Sequence, residues 1–263
     1  MHIHILGICG TFMGGIAQLA LACGHRVTGS DAHVYPPMSE QLRASGIELI
    51  EGYDEQTLSV APDMWVIGNA ISRGNPLLEA ILNAGAPYTS GPQWLSENIL
   101  GGRRVIAVAG THGKTTTTSM IVHILSVCGK KPGYLVGGVP SDLGVSAALG
   151  ESKAFVVEAD EYDTAFFDKR SKFVHYRPWT AVLNNLEYDH ADIFENLAAI
   201  EKQFHHLLRT IPSSGLVIAN AQSPALERVL AQGCYSRLER FNDNHGWSID
   251  EERVVRLGGQ SLG

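Results

Sequence analysis

Cysteine is sparse and badly spaced for any framework role: Cys9, Cys23, Cys128 and Cys234 are scattered through 263 residues with no Cys-x-x-Cys, which argues against a structural zinc and a disulfide scaffold. As unpaired thiols most of them are expected to be small core residues. No apolar run reaches the ~18 to 20 residues that span a bilayer, and the N-terminus lacks a basic-then-apolar leader, because Met1-His2-Ile3 enters a strand directly. A cytoplasmic protein without membrane insertion is expected. Positive charge is also short, with 20 Lys and Arg against 27 Asp and Glu, and the formal charge of −7 disfavours unspecific attraction to nucleic acid. Anionic ligands must then be held by local groups. There is no internal repeat, low-complexity tract or coiled-coil heptad.

What the chain does have is α/β patterning over a length sufficient for two domains. Residues 2–6 read as a buried strand, followed by glycines and by Ile16, Leu19, Ala20 and Cys23 at helical spacing, with Gly24 ending the helix. A strand at 26–29, a Pro36-Pro37 break, a helix at 39–44, strands at 47–50 and 64–67 and a helical stripe at 77–82 complete a small parallel domain over 1–100. The pattern restarts near Gly101, giving a second α/β domain over 101–263. Its strands fall at 105–109, 154–157, 180–183 and 216–219, with a helix carrying Leu197, Ile200, Phe204 and Leu208. Met120, Ile121, Ile124, Leu125 and Cys128 predict an apolar face on the helix that follows the first of these strands. The tail from 242 shows turn residues and short apolar pieces without a closing element, as though the chain stopped inside something larger.

The most informative stretch is Val108-Ala109-Gly110-Thr111-His112-Gly113-Lys114-Thr115-Thr116, a strand running into Gly-x-x-Gly-Lys-Thr-Thr and then a helix. Glycines let successive N–H groups turn inward on phosphate oxygens, and the helix N-terminus adds its partial positive charge. Lys114 supplies a full charge for the β- and γ-phosphates of a bound triphosphate, and the Thr115 hydroxyl is placed to ligate Mg²⁺. Val108 stands where the usual pattern has its first glycine. The alternative, a strand-to-helix turn with a solvated lysine, does not require the strand, glycines, lysine, hydroxyl and helix to occur in that order.

Ligands of parallel sheets gather at the carboxyl ends of the strands. Glu158-Ala159-Asp160-Glu161-Tyr162-Asp163 follows one strand of the second domain, and Asn184-Asn185-Leu186-Glu187-Tyr188-Asp189-His190 follows another. Mg²⁺ takes one or two protein oxygens and completes its shell with phosphates and water, which suits Glu158 beside Thr115. Asp160, Glu161 and Asp163 read more simply as a solvated acidic loop. For His190 a structural role and a metal or phosphate role both stay open. In the first domain Gly7, Gly10, Gly14 and Gly15 form Gly-x-x-Gly-x-x-x-Gly, with Asp31 at the end of the next strand where an acid would bind ribose, so a nucleotide diphosphate is the expected guest. This spacing and the second phosphate loop both disfavour a nicotinamide-dependent oxidoreductase.

With both loops in view, the chain resembles the ATP-dependent Mur ligases of peptidoglycan synthesis. The carriers are Gly110-Thr-His-Gly-Lys-Thr-Thr116, Glu158-Ala-Asp-Glu161 and Asn185-Leu-Glu-Tyr-Asp-His190, in order and spacing. Residues 2–15 and 28–38 are similar, within that family, to the branch that recycles a murein tripeptide; the branch using L-alanine is the alternative. The resemblance implies a Rossmann-like domain followed by a P-loop-type ATPase domain, without the family's C-terminal domain for the amine substrate. It implies that ATP phosphorylates the carboxylate of UDP-N-acetylmuramate and that an amine attacks the acyl phosphate. Lys114, Glu158 and His190 would be catalytic, with Thr115 and Glu158 on one Mg²⁺ and His190 on a second. Gly110, Thr111, His112, Gly113, Lys114, Thr115 and Thr116 would bind ATP, and Gly7, Gly10, Thr11, Gly14, Gly15 and Asp31 the UDP-sugar. Several members carry a carbamoylated lysine downstream of that histidine; Lys202 is the nearest lysine here, and the modification is expected to be lacking.

Overall fold

The computed structural model describes residues 1–138, 140, 143–189 and 193–262. The chain forms two compact units: Met1–Arg103 with Val122–Phe155 and Asp163–Arg170, and Arg104–Ile121 with Val156–Tyr162 and Ser171–Gly263. In chain order the elements are β1 (His2–Leu6), α1 (Thr11–Ala22), β2 (Arg26–Asp31), α2 (Met38–Ala44), β3 (Glu48–Glu51), β4 (Met64–Ile67), α3 (Pro76–Asn83), β5 (Tyr88–Ser90), α4 (Gly91–Leu95), β6 (Arg104–Ala109), α5 (Lys114–Val127), β7 (Gly133–Leu135), β8 (Ala147–Ala148) and β9 (Ala154–Ala159). There follow β10 (Asp163–Ala165), β11 (Asp168–Ser171), β12 (Thr180–Leu183), α6 (Leu197–Leu208), β13 (Leu216–Asn220), α7 (Pro224–Ala231), β14 (Arg237–Phe241), β15 (Trp247–Ile249), β16 (Val255–Leu257) and β17 (Gln260–Ser261). None of the described helices is long and apolar enough to cross a membrane.

The first unit is built on a parallel sheet ordered β3-β2-β1-β4-β5, and its strand order reverses at β1, where open α/β sheets present a crevice to ligands. Continuous apolar strands are what a sheet covered on both faces requires. The exception is instructive. His4 is fully buried in β1, and its ring nitrogens meet Thr28 Oγ1 at 2.7 Å and Ser30 Oγ at 2.9 Å on neighbouring β2. Burial holds its pKa down to about 3, with a smaller push from His2, so the imidazole is neutral and both nitrogens are satisfied. Helices start where sequence chemistry dictates: Asn75 accepts from Leu78 N–H and Pro76 occupies the first turn of α3. Leu77, Leu78 and Ile81 then pack on Leu6, Trp65 and Ile67, and Phe166, in the β10–β11 turn, closes against this cluster.

In the second unit the strands follow the order β17-β16-β15-β14-β13-β12-β6-β9, parallel from β6 through β15 and antiparallel over β15 to β17. The tail expected to lack a closing element thus supplies three strands. Two other expectations need correction. Met120 and Ile124 are 59% and 60% exposed, whereas α5 buries Thr118 and Val122. Thr118 tolerates this because its hydroxyl donates to Lys114 O at 2.8 Å, so a hydropathy pattern places the buried face on the wrong side. The cysteines are not core residues either: Cys23 and Cys128 are exposed, and Cys9 and Cys234 are half-buried. Cys9 lies in the turn before α1, Cys23 caps α1, and Cys128 and Cys234 follow α5 and α7, so all four stand in turns or at element ends.

Candidate functional site

β6 enters its loop fully buried, and the turn then depends on two glycines in the left-handed half of backbone space, Gly110 at φ 148° and Gly113 at φ 77°. A Cβ on Gly110 would stand 3.1 Å from both Asn184 Cβ and Asn185 O, so glycine is needed for conformation and for proximity together. The loop leans on the end of β12. Asn184 N–H donates to Ala109 O at 2.9 Å, and Asn185 both accepts from His112 N–H at 2.8 Å and donates to His112 O at 3.1 Å. Thr111 N–H donates to Asn185 O at 3.3 Å, while Thr111 Oγ1 accepts from Glu187 N–H at 2.9 Å. Asn184 also donates to Thr117 Oγ1 at 2.9 Å, and Asn220 donates to Asn184 O at 2.8 Å. This bracing fixes the loop before any ligand arrives.

Two side chains of the loop region, one charged and one a neutral hydroxyl, meet carboxylates at and just beyond the end of β9. The Thr115 hydroxyl lies 3.1 and 3.0 Å from the two Glu158 oxygens. Lys114 Nζ donates to Glu161 Oε2 at 3.1 Å, and only 1% of the Glu161 side chain reaches solvent. That overturns the solvated-loop reading of Glu161: burial pushes its carboxyl above the usual range, Lys114 opposes the shift, and Asp160 adds to it. Asp160 is itself tied to the buried Lys172 at 3.1 Å, whereas Asp163 keeps an exposed partner in Lys169 at 2.8 Å. The segment after β11 is laced to the acidic loop by Ser171 Oγ donating to Glu161 O at 2.5 Å and by Lys172 N–H donating to Tyr162 O at 2.9 Å. This lacing seats Tyr176, which is 2% exposed and whose hydroxyl has no hydrogen-bond partner. An unsatisfied buried hydroxyl costs about 1–3 kcal/mol and calls for an explanation. Burial and the nearby Asp160 and Glu158 charges hold the phenol protonated, so it is a donor.

Thr115 and Glu158 offer only oxygen, the donor set of a hard divalent cation, and they already stand within contact of each other. Among the described residues no three His, Cys, Asp or Glu side chains form a metal cluster. His190 lies outside the described residues. Thr116 and His112 are exposed beside the loop, and Lys202 is exposed on α6.

In the first unit, Asp31 accepts from Cys9 N–H at 2.8 Å and His33 N–H at 3.2 Å, so its carboxylate shapes the glycine turn while keeping lone pairs for a ligand. Gly10 N–H donates to Gly7 O at 3.2 Å, and Gly10 immediately precedes α1, which begins at Thr11. Gly14 and Gly15 serve packing: an added Cβ would come 2.4 Å from Met38 Sδ and 2.2 Å from Leu135 Cδ1 respectively.

Sequence reasoning passed over Glu161, Asn184, Asn185, Lys172 and Tyr176 as functional groups. Local signals were carried by the adjacent asparagines, at a strand end in the same chain segment as His190, and by Glu161, in the Glu158-Ala-Asp-Glu161 segment.

Comparison with known proteins gives two family matches: the Mur ligase family, catalytic domain, over residues 2–103, and the Mur ligase middle domain over residues 108–250. The chain is 57% identical to the UDP-N-acetylmuramate--L-alanyl-gamma-D-glutamyl-meso-2,6-diaminoheptandioate ligase of Escherichia coli (strain K12), covering 100% of this chain and 59% of that protein. It is 37% identical to the UDP-N-acetylmuramate--L-alanine ligase of Arthrobacter sp. (strain FB24), over 98% of this chain and 53% of that one. Among solved structures, the UDP-N-acetylmuramate:L-alanyl-gamma-D-glutamyl-meso-diaminopimelate ligase from Neisseria meningitides superimposes with a TM-score of 0.96 at 54% identity, covering 100% of this chain and 86% of that one.

Proposed function

The chain belongs to the Mur ligase family, and from that premise we propose that it is the UDP-sugar- and ATP-binding portion of a cytoplasmic, ATP-dependent ligase. The whole enzyme would join UDP-N-acetylmuramate to the amine of L-alanyl-γ-D-glutamyl-meso-diaminopimelate. The tripeptide is favoured over L-alanine because identity is 57% to the former ligase and 37% to the latter. The chain spans 59% of the Escherichia coli relative, and binding without turnover is expected of these 263 residues alone.

The observation that carries the reading is the pair of contacts made by consecutive residues, Lys114 with Glu161 and Thr115 with Glu158, at the mouth of a braced phosphate loop. In this reading the N–H groups of residues 110–116 and the first turn of α5 hold the ATP phosphates. Lys114 leaves or shares Glu161 to neutralise charge on the β- and γ-phosphates as the γ-phosphoryl moves to the sugar carboxylate. Thr115 and Glu158 would hold Mg²⁺, which when bound screens the phosphate charge; His190 is proposed for a second cation. Gly7, Gly10 and Thr11 at the turn and helix start and Asp31 at the end of β2 are proposed for the UDP moiety, with Gly14 and Gly15 contributing through the close packing of α1. The acyl phosphate is then open to the amine, which displaces phosphate and forms the amide.

The test is product analysis by mass spectrometry, with the full-length protein offered ATP, UDP-N-acetylmuramate and either the tripeptide or L-alanine. A tripeptide adduct with ADP release is expected. Preference for L-alanine would move the protein to the other branch, and absence of any ATP-dependent adduct would end the ligase reading.

A further inference from the structure

Three neighbouring parallel strands of the second unit end on asparagine: Asn184 follows β12, Asn220 closes β13 and Asn242 follows β14. Their amides form a row across the carboxyl edge of the sheet. Asn242 Nδ2 donates to Asn220 Oδ1 at 3.1 Å, Asn220 Nδ2 donates to Asn184 O at 2.8 Å, and Asn184 Nδ2 donates to Thr117 Oγ1 at 2.9 Å in the first turn of α5. With neighbouring strands about 4.8 Å apart, the row reaches about 14 Å from β14 to β6. Its inner end lies against the phosphate loop. A Cβ on Gly110 would stand 3.1 Å from Asn184 Cβ and one on Gly113 3.6 Å from Asn184 Nδ2, so a single side chain borders both glycines that turn the loop. Thr117 N–H in turn donates to Gly113 O at 2.9 Å. Asn184 itself is gripped from both neighbouring strands, its N–H by Ala109 O of β6 and its carbonyl by the Asn220 amide of β13. Asn220 Oδ1 also accepts from Gln222 N–H at 3.0 Å, so both of its lone pairs are in use.

We infer that Asn220 is a positioning residue for nucleotide binding: it holds Asn184 against the loop glycines and the start of α5, with Asn242 as the outer stay of the row. Its acceptor oxygen is already filled by protein donors, and its effect reaches the phosphates through Asn184. The inference rests on the reading of residues 110–116 as the holder of the ATP phosphates.

The experiment is isothermal titration of the full-length protein with AMP-PNP and Mg²⁺, for wild type, Asn220→Ala, Asn184→Ala, the double variant, Asn242→Gly and Lys114→Ala. Glycine suits position 242 because it accepts the observed φ of 55°. AMP-PNP affinity is expected to fall about tenfold in Asn184→Ala and about fivefold in Asn220→Ala, the scale of one net hydrogen bond. Because Asn220 acts through Asn184, the double variant should fall well short of the product of independent effects, about fiftyfold. A loss equal to that product makes the two residues independent and overturns the inference. Wild-type AMP-PNP affinity in Asn220→Ala with a lowered melting temperature reduces the row to a structural stay and overturns it as well. So does an equal loss of UDP-N-acetylmuramate affinity in Asn220→Ala, which would report general unfolding. Should Asn220→Ala not fold, Asn242→Gly decides: it removes one bond at the exposed end of the row, and an affinity loss of about twofold is expected, with wild-type affinity overturning the inference. Undiminished affinity in Lys114→Ala overturns the phosphate-loop reading itself, whereas loss there beside wild-type affinity in Asn220→Ala overturns only the role of Asn220.

Discussion

Lys114 Nζ lies 3.1 Å from Glu161 Oε2, so the lysine of the phosphate loop is already neutralised by a carboxylate that solvent barely reaches. The ligand-free loop therefore presents a compensated charge, and phosphate must compete with Glu161 for it. Removing one member of a buried pair costs about 3 kcal/mol, because the other charge keeps its desolvation penalty.

Lys114→Ala is accordingly expected to lose ATP binding and ligation, keep UDP-sugar binding, and unfold at lower denaturant than wild type. The stability loss should shrink on acidification. The Glu161 carboxyl titrates above its unfolded value in the folded protein, so the folded state binds the proton more tightly, and this group's contribution is largest on the acid side and falls as pH rises through the raised value. Without Lys114 that raised value moves further up. Urea titrations at pH 5 and pH 7.5 check this; a loss that grows toward low pH would contradict the assignment.

His4 supplies a pH dependence of opposite sign. Its folded pKa of about 3 lies below the ordinary 6.5, so the unfolded chain binds the proton more readily. Stability is fully present above 6.5 and is lost as pH falls toward 3, amounting to about 2 kcal/mol by pH 5. His4→Gln should be less stable than wild type at pH 7.5 yet lose less on going to pH 5. Parallel losses in the two proteins would show that another group carries the effect.

Gly110 tests the loop's backbone. At φ 148°, with Asn185 backbone atoms 3.1 and 3.2 Å from any added Cβ, Gly110→Ala meets strain and collision together. A destabilisation of about 1–3 kcal/mol is expected, with ATP affinity falling by at least tenfold. Gly14→Ala and Gly15→Ala meet the ends of flexible side chains, Met38 and Leu135, and should be milder. Calorimetric unfolding of the three variants ranks them; an order with Gly110 mildest would refute the argument.

Local order in the chain made the phosphate loop legible, since glycines, lysine, hydroxyl and helix are contiguous from residue 110. The strand bounds at Met64–Ile67 and Thr180–Leu183 were equally local, because apolar runs between turn residues need no tertiary information. The Lys114–Glu161 pair was hidden for the opposite reason: it joins residues 47 apart in sequence, and an acidic loop shows its burial only after β9 is placed beside β6. Thr118 escaped because a hydroxyl satisfied within its own helix can be buried like an alanine, which a hydropathy pattern does not register. Glu158 stood out through the apolar strand before it, and Tyr176 had no signal until its burial and unpartnered hydroxyl could be seen.

Asn185 is the strongest test of the bracing. Its side chain accepts from His112 N–H and donates to His112 O, replacing on the loop the two hydrogen bonds that a neighbouring strand would have supplied. These bonds leave the N–H groups of residues 113–116 free to point at phosphate only while the turn at His112 stays in place. Asn185→Ala removes both, at about 1 kcal/mol each for partly exposed amide bonds. The expected result is a stability loss of about 1–2 kcal/mol and ATP affinity reduced about tenfold, since the loop must now be ordered by the ligand itself. Asn185→Asp separates order from simple contact: it keeps the acceptor for His112 N–H, loses the donor to His112 O, and adds negative charge beside the phosphate site. It should therefore match alanine in nucleotide affinity or fall below it while losing less stability. Isothermal titration with AMP-PNP, together with urea unfolding, measures both quantities. Were Asn185→Ala to bind nucleotide as wild type does, the loop would be ordered by its own glycines and α5, and the end of β12 would have no part in the site.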